Sequence, residues 1–233
     1  MMELSKRLQA VADMVTPGMR LADIGTDHAY IPIYLVEQDV IPEAIAMDIN
    51  KGPLERAQEH IRAYGFEERI QTRLSDGLQR LEAGEADAMI AAGMGGALVI
   101  KILEDREEVA KSLKELILQP QSELGKVRAY LIEHGYQIIA ENMIVEDGKY
   151  YPMMKVIPGQ EAEVYTQEEL EYGKWLLQNA NPVLKQFLER EHQINEGIVK
   201  FLRTQKTDRA KSREDEILEK NKEIRQILEK YFE

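Results

Sequence analysis

Five short apolar runs, at residues 20–24, 44–48, 70–74, 86–92 and 115–119, alternate with segments that read as helices or loops. No other feature of the chain constrains the fold as much. A strand, a crossover and a second strand in the same sheet give parallel pairing, and the crossover helices then cover the sheet. The next two runs break this pattern. Residues 137–145 and 150–156 are joined by Glu146, Asp147, Gly148 and Lys149, and Asp-Gly is a strong hairpin signal because a tight hairpin turn needs positive φ. The sequence therefore predicts an α/β chain with seven strands, the last pair antiparallel. A helix over residues 4–15 precedes the sheet, with Leu4, Leu8, Val11 and Val15 at helical spacing and Thr16, Pro17 and Gly18 as its stop.

Past Pro158 and Gly159 the strand signals cease, which places a domain boundary there and divides the chain into residues 1–159 and 160–233. A helix over 166–178 is expected to end near 179–181, and Pro182 is well placed to begin the next. That helix carries Leu184, Phe187, Leu188, Ile194, Ile198, Phe201 and Leu202 on one stripe. A third is expected to start at Ser212, with Asp215 three residues on as a short-armed capping box, and carries Ile217, Leu218, Ile224, Ile227, Leu228 and Tyr231. Two amphipathic helices joined by a basic turn make an antiparallel, coiled-coil-like helical hairpin.

Composition removes several classes of function. With 44% hydrophobic residues in 233, the chain can pack a core. No apolar run approaches the roughly 18 to 20 residues of a membrane span, and Glu3, Lys6 and Arg7 interrupt any signal-peptide core, so a cytoplasmic protein with no membrane partner is expected. With no cysteine there is no disulfide or thiolate site, and with only four histidines no metal is expected. The net charge of −12 argues against broad attraction to polyphosphates. Charge acts locally, however, within a Debye length of roughly 8 Å. In residues 200–213 the cations Lys200, Arg203, Lys206, Arg209, Lys211 and Arg213 meet one anion, Asp208. That turn is either a nucleic-acid contact or a solvated connection.

The most informative loop is Asp23-Ile24-Gly25-Thr26-Asp27-His28-Ala29-Tyr30, where the first strand turns into a helix. Gly25 has no Cβ, so a cofactor can approach, and such a turn exposes backbone N–H groups. Asp48, followed by Ile49, closes the second strand, where a carboxylate can accept hydrogen bonds from ribose hydroxyls. Asp76 and Gly77 follow the third strand, suited to an adenine amino group and a close-lying ring. Gly93, Met94 and Gly95 make a further glycine-rich turn after the fourth. The fifth ends in Gln119-Pro120-Gln121, either a substrate contact or a plain strand stop. All these positions fall at the carboxyl edge of the predicted sheet, the crevice in which open α/β folds bind ligands.

The first loop resembles the acidic-x-Gly-x-Gly-x-Gly signature of class I methyltransferases, with Asp23 and Gly25 in register and Asp27 and Ala29 replacing the later glycines. A carboxylate where a pyrophosphate would lie disfavours a dinucleotide and suits a sulfonium cofactor. The strings DIGTDHAYIP, MDINKGPLERA, SDGL, AGMGG, ILQPQ and EDGKYYPM, in this order and with the helical tail, resemble the bacterial tRNA (adenine(22)-N1)-methyltransferase, or TrmK, family over nearly the whole chain. The resemblance implies a Rossmann-like sheet with a reversed last strand, S-adenosylmethionine as cofactor, tRNA as substrate and a C-terminal coiled-coil-like domain that helps hold the tRNA. Asp23, Gly25, Thr26, Asp27, His28, Tyr30, Asp48, Ile49, Asp76, Gly77, Gly93, Met94 and Gly95 are then the candidate cofactor residues. Gln119, Gln121, Tyr150, Tyr151 and the six cations of the basic turn are the candidate substrate contacts.

Adenine N1 has an in-plane lone pair and can attack a sulfonium methyl without first losing a proton. The site must instead expose the base and align the reacting atoms. Positive charge moves onto the base, so Asp27 is the candidate catalytic carboxylate, with Tyr30, Tyr150 and Tyr151 as stacking partners. A helix-capping Asp27 and core-packing tyrosines are the competing readings. His28 is not read as a base; His60, His134 and His192 are expected on helices as packing or surface residues, and Met143, Met153 and Met154 as core. Two other classes compete: a nucleotide-cofactor oxidoreductase, which prefers the glycines this loop lacks, and a non-enzymatic RNA-binding protein.

Overall fold

The computed structural model describes residues 2–205 and 207–233; Lys206, one of the six candidate tail cations, lies outside the described residues. Strands β1 (Leu21–Ile24), β2 (Ala44–Asp48), β3 (Ile70–Leu74), β4 (Ala88–Met94), β5 (Glu115–Pro120), β6 (Tyr136–Glu146) and β7 (Lys149–Pro158) form one sheet. Its order is β3-β2-β1-β4-β5-β7-β6. The first five strands pair in parallel, and β7 runs antiparallel to both β5 and β6. The hairpin forms where the Asp-Gly signal stood, with Asp147 at φ 48° and Gly148 at φ 72°, the left-handed pair a two-residue turn requires. Central strands β1 and β5 are buried along their whole length, as parallel strands covered on both faces must be. Met143, Met153 and Met154 are buried, each in a different apolar cluster.

Helices α1 (Lys6–Ala12), α2 (Tyr30–Glu37), α3 (Lys51–Tyr64), α4 (Gly96–Asp105), α5 (Glu107–Ser112) and α6 (Leu124–Glu133) accompany the sheet. The chain leaves β1 toward β2 on one side and enters β4 on the other, so the strand order reverses between β1 and β4 and opens a crevice at their carboxyl ends.

The tail departs from expectation in three places. The single helix expected over 166–178 is two, α7 (Gln167–Tyr172) and α8 (Lys174–Gln178), broken at Gly173 with φ 96°. The cause is tertiary. Arg128 and Glu141 form a fully buried ion pair at 2.8 Å; Arg128 donates to the carbonyls of Leu170 and Glu171, and Glu141 accepts from the Trp175 amide. A Cβ on Gly173 would lie 2.7 Å from the Glu141 carboxylate. The pair thus ends α7, starts α8 and ties both to α6 and β6.

Second, α10 (Asp208–Phe232) begins before Ser212, because the Thr207 hydroxyl accepts from the Ala210 amide and caps it first. Arg209, Lys211 and Arg213 therefore lie on helix, and Lys200 on the last turn of α9 (Pro182–Leu202). Third, the expected apolar stripes are only partly covered. Leu184, Leu188, Ile224 and Ile227 pack with Met143 of β6, whereas Ile194, Ile198, Phe201 and Leu218 stay exposed. Two helices alone bury a seam narrower than the stripe. Among the described residues no helix is long and apolar enough to cross a membrane.

Candidate active site

The crevice at the carboxyl end of β1 is built by backbone before any side chain enters it. Gly25 has φ 73°, and its amide and that of Thr26 both donate to the Met47 carbonyl, 2.8 Å each. His28 and Ala29 follow at φ 62° and 55°, and α2 starts without a side-chain cap. A Cβ on Gly25 would lie 2.3 Å from the Met94 methyl, the movable end of a flexible side chain, so it is chiefly the left-handed φ that favours glycine here. Asp23 is 7% exposed. Burial pushes its carboxyl up to about 6, the Thr26 hydroxyl opposes that rise and the Asp48 charge adds to it. A cavity of about 230 Å³ opens here, lined by Asp23, Gly25, Thr26, Asp27 and Tyr30, by Ala92 of β4 and by Arg7 of α1.

Next along the edge, Asp48 accepts from the Asn50 amide through Oδ1 at 2.6 Å and has no cationic partner among the described residues. Beside it Ile49 is 57% exposed, a large apolar side chain left outside the core. Asp76 is exposed, with the Lys101 Nζ at 4.0 Å. Gly77 has φ 53°, and a Cβ there would meet Ile102 at 2.9 Å, so this glycine is also needed for α4 to pack.

The glycine turn expected after the fourth strand lies partly within it, since β4 runs through Gly93 to Met94 with an irregularity between Ala92 and Met94, and the segment serves packing more than access. The Gly93 amide donates to Gln119 Oε1 at 3.1 Å. A Cβ on Gly96 would lie 2.4 Å from the Ser122 carbonyl. The Gly96 and Ala97 amides are taken by the Ser122 hydroxyl and the Glu123 carboxylate, each at 3.2 Å. Gln119 is fully buried, and its Oε1 also accepts from Arg7 Nη1 at 3.2 Å; it orients neighbours. Gln121 is exposed, its amide bonded to the Met94 carbonyl. Tyr151 lies beneath Arg7, 5.7 Å from guanidinium carbon to ring centroid. Tyr150 is drawn away from the cavity and packs edge-on against Phe187 of α9.

Asp27 lies at the rim with its side chain 67% exposed and accepts from Arg56 Nη2 at 3.1 Å. Arg56 Nε also donates to His28 Nε2 at 3.2 Å, and the His28 ring is stacked on Tyr30 and on His60, centroids 5.0 and 4.9 Å away. Sequence reasoning missed Arg7 and Arg56. Arg56 lies inside the quoted string MDINKGPLERA, but its reach to Asp27 is a tertiary fact, and Arg7 reads as an ordinary surface cation of an amphipathic helix.

In the tail, the sequence-local charge count changes. Arg203 pairs with Glu214 and Arg213 with Glu216, both at 2.7 Å, because α10 brings its glutamates back to the turn. Among the described residues Lys200, Arg209 and Lys211 have no ion-pair partner.

Residues 4–154 match the methyltransferase-domain family. The chain is 33% identical to the tRNA (adenine(22)-N(1))-methyltransferase of Bacillus subtilis over 98% of both chains. It belongs to this methyltransferase family. Family membership carries the Rossmann-like sheet with its reversed strand, the architecture already traced above. A Streptococcus pneumoniae protein solved in complex with S-adenosyl-L-methionine superposes with TM-score 0.86 at 33% identity, covering 97% of this chain and 100% of that one. M. capricolum TrmK in complex with S-adenosyl-homocysteine superposes with TM-score 0.82 at 28% identity, over 97% and 98% of the two chains.

Proposed function

We propose that this chain methylates N1 of adenosine 22 in tRNA, with S-adenosylmethionine as methyl donor. The observation that carries the reading is the carboxyl edge of β1–β3, where, among the described residues, Asp23 and Asp48 stand without cationic partners beside the positive-φ turn at Gly25. Three features fit the cofactor. Gly25 leaves backbone accessible, Asp48 keeps acceptor capacity for ribose hydroxyls, and the exposed Ile49 offers an apolar surface to a purine. Asp23 and Asp27 around the loop would repel a pyrophosphate, which disfavours a dinucleotide-dependent oxidoreductase. When bound, S-adenosylmethionine supplies the electrophilic sulfonium methyl.

The residues then divide the work. Asp48 and Ile49, with Asp76 beyond them, hold the nucleoside; Asp23, Gly25 and Thr26 hold the methionine side. Asp27, at the cavity rim, stabilises the positive charge that grows on the adenine, and Arg56 holds its carboxylate in place. No proton needs removal before attack, so His28 shapes the rim and is not a base. Residues 1–159 form the catalytic domain. Residues 160–233 hold tRNA, with Lys200, Arg209 and Lys211 as the free phosphate contacts.

Transfer of tritium from S-adenosylmethionine to bulk tRNA, followed by mass mapping, tests the reading. Label is expected in 1-methyladenosine at position 22. Label elsewhere, or none, overturns it.

A further inference from the structure

Arg7 stands out once the site is assembled. It projects from α1, is half-buried, and lines the cavity that also holds Asp23, Gly25, Thr26 and Asp27. Its partners are neutral: Nη1 donates to the buried Gln119 Oε1 at 3.2 Å, and its guanidinium lies over the Tyr151 ring. Among the described residues it has no carboxylate within ion-pair distance. A half-buried guanidinium held by an amide and a ring, with its remaining donors uncommitted, is a prepared receptor for an oxyanion.

The surroundings decide which oxyanion. A phosphodiester carries charge of one sign, and Asp23 and Asp27 on the same cavity would repel it. A zwitterionic α-amino acid presents a carboxylate and an ammonium together, and the cavity offers a cation and carboxylates together. Burial holds the Asp23 carboxyl up at about 6, as expected of an acid that gains its counter-charge only from a ligand. We propose that Arg7, positioned by Gln119 and Tyr151, binds the carboxylate of the cofactor's amino-acid end, with Asp23 receiving the ammonium. The inference rests on the function proposed above and adds a binding group from a helix that precedes the sheet.

Calorimetric titration with S-adenosylhomocysteine and with 5′-methylthioadenosine, which keeps the nucleoside and thioether but lacks the amino-acid end, separates the outcomes. Arg7→Ala is expected to weaken S-adenosylhomocysteine about ten-fold or more and to leave methylthioadenosine unchanged. Arg7→Lys should recover part of the loss, and Asp48→Ala should weaken both ligands alike. Equal losses of both ligands in Arg7→Ala would reduce Arg7 to a support of the pocket and overturn the proposal. Unchanged affinity for both, with weaker tRNA binding, would reassign Arg7 to an RNA phosphate and overturn it too. A wild-type protein that binds neither ligand refutes the underlying function, whereas binding in wild type with no Arg7 effect refutes this inference alone.

Discussion

The two edges of the sheet use the same residue types to opposite ends. At the amino edge three carboxylates, Asp87, Glu85 and Glu115, each have a built-in cation. Asp87 accepts from Arg20 Nε at 2.8 Å and from its amide at 3.1 Å, with Lys114 at 3.0 Å; Glu85 pairs with Arg73 at 2.7 Å; Glu115 pairs with Lys155 at 2.9 Å and accepts from Thr16. At the carboxyl edge Asp23 and Asp48 have no such partner among the described residues. The amino edge even has the larger cavity, about 420 Å³ against 230 Å³. Its arginines are committed, though: Arg69 to two carbonyls and Asp39, Arg20 and Arg73 to their acids. Concavity alone does not mark a site; uncommitted polar capacity does.

The largest effect on stability is expected at the amino edge. Glu115→Ala leaves the partly buried Lys155 ammonium without its carboxylate, though still donating to the Met14 carbonyl and the Thr16 hydroxyl, and should cost about 2 kcal/mol of stability, read by urea denaturation. Cofactor affinity of the folded fraction should not change. At the other edge Asp48→Ala should do the reverse, lowering S-adenosylhomocysteine affinity about ten-fold while the urea midpoint stays near wild type. A stable mutant with full affinity would remove Asp48 from the site.

Smaller effects sharpen the contrast. Asp27→Asn should slow single-turnover methyl transfer several-fold with tRNA and cofactor binding preserved; a full-rate mutant would leave Asp27 as a rim residue only. Replacing Lys200, Arg209 and Lys211 together with Gln should weaken tRNA binding and lower the salt slope by roughly 2 to 3. S-adenosylhomocysteine affinity is the control, and unchanged slopes would make the basic turn a solvated connection.

Protonation should separate the edges with opposite signs. Asp23 sits above its ordinary 3.8, at about 6, so ionising it opposes folding as pH rises from 3.8 to 6, and a cationic ligand group should bind more tightly above pH 6 than below it. Arg20 holds Asp87 well below its ordinary range, and Arg73 lowers Glu85. Their stabilisation is present above the ordinary carboxylate pKa and is lost as pH falls through the folded values. Asp23→Asn should flatten the pH dependence of S-adenosylhomocysteine binding between pH 5 and 7, roughly the span over which a carboxyl near 6 titrates; an unchanged slope would discard Asp23 as its source.

What could be read from sequence follows from how local each signal is. β2 and β3 lie where their apolar runs predict, and the β6–β7 hairpin where Asp147 and Gly148 predict it, because each depends on neighbouring residues alone. Asp23, Gly25 and Asp48 are legible for the same reason: a strand end and a turn are local. The break at Gly173 is not, since Arg128 and Glu141 impose it from distant positions. The start of α10 failed because Thr207 and Ser212 are both good caps, and the first one reached its amide. Gln119 gave a correct strand end but concealed its partners, Gly93 and Arg7.

Hydrogen–deuterium exchange with and without S-adenosylhomocysteine compares both edges in one measurement. New protection is expected at residues 25–31, 47–50 and 75–77, with 84–88 and 113–116 unchanged. Protection centred on the amino-edge cavity, or none at the carboxyl edge at saturating ligand, would contradict it.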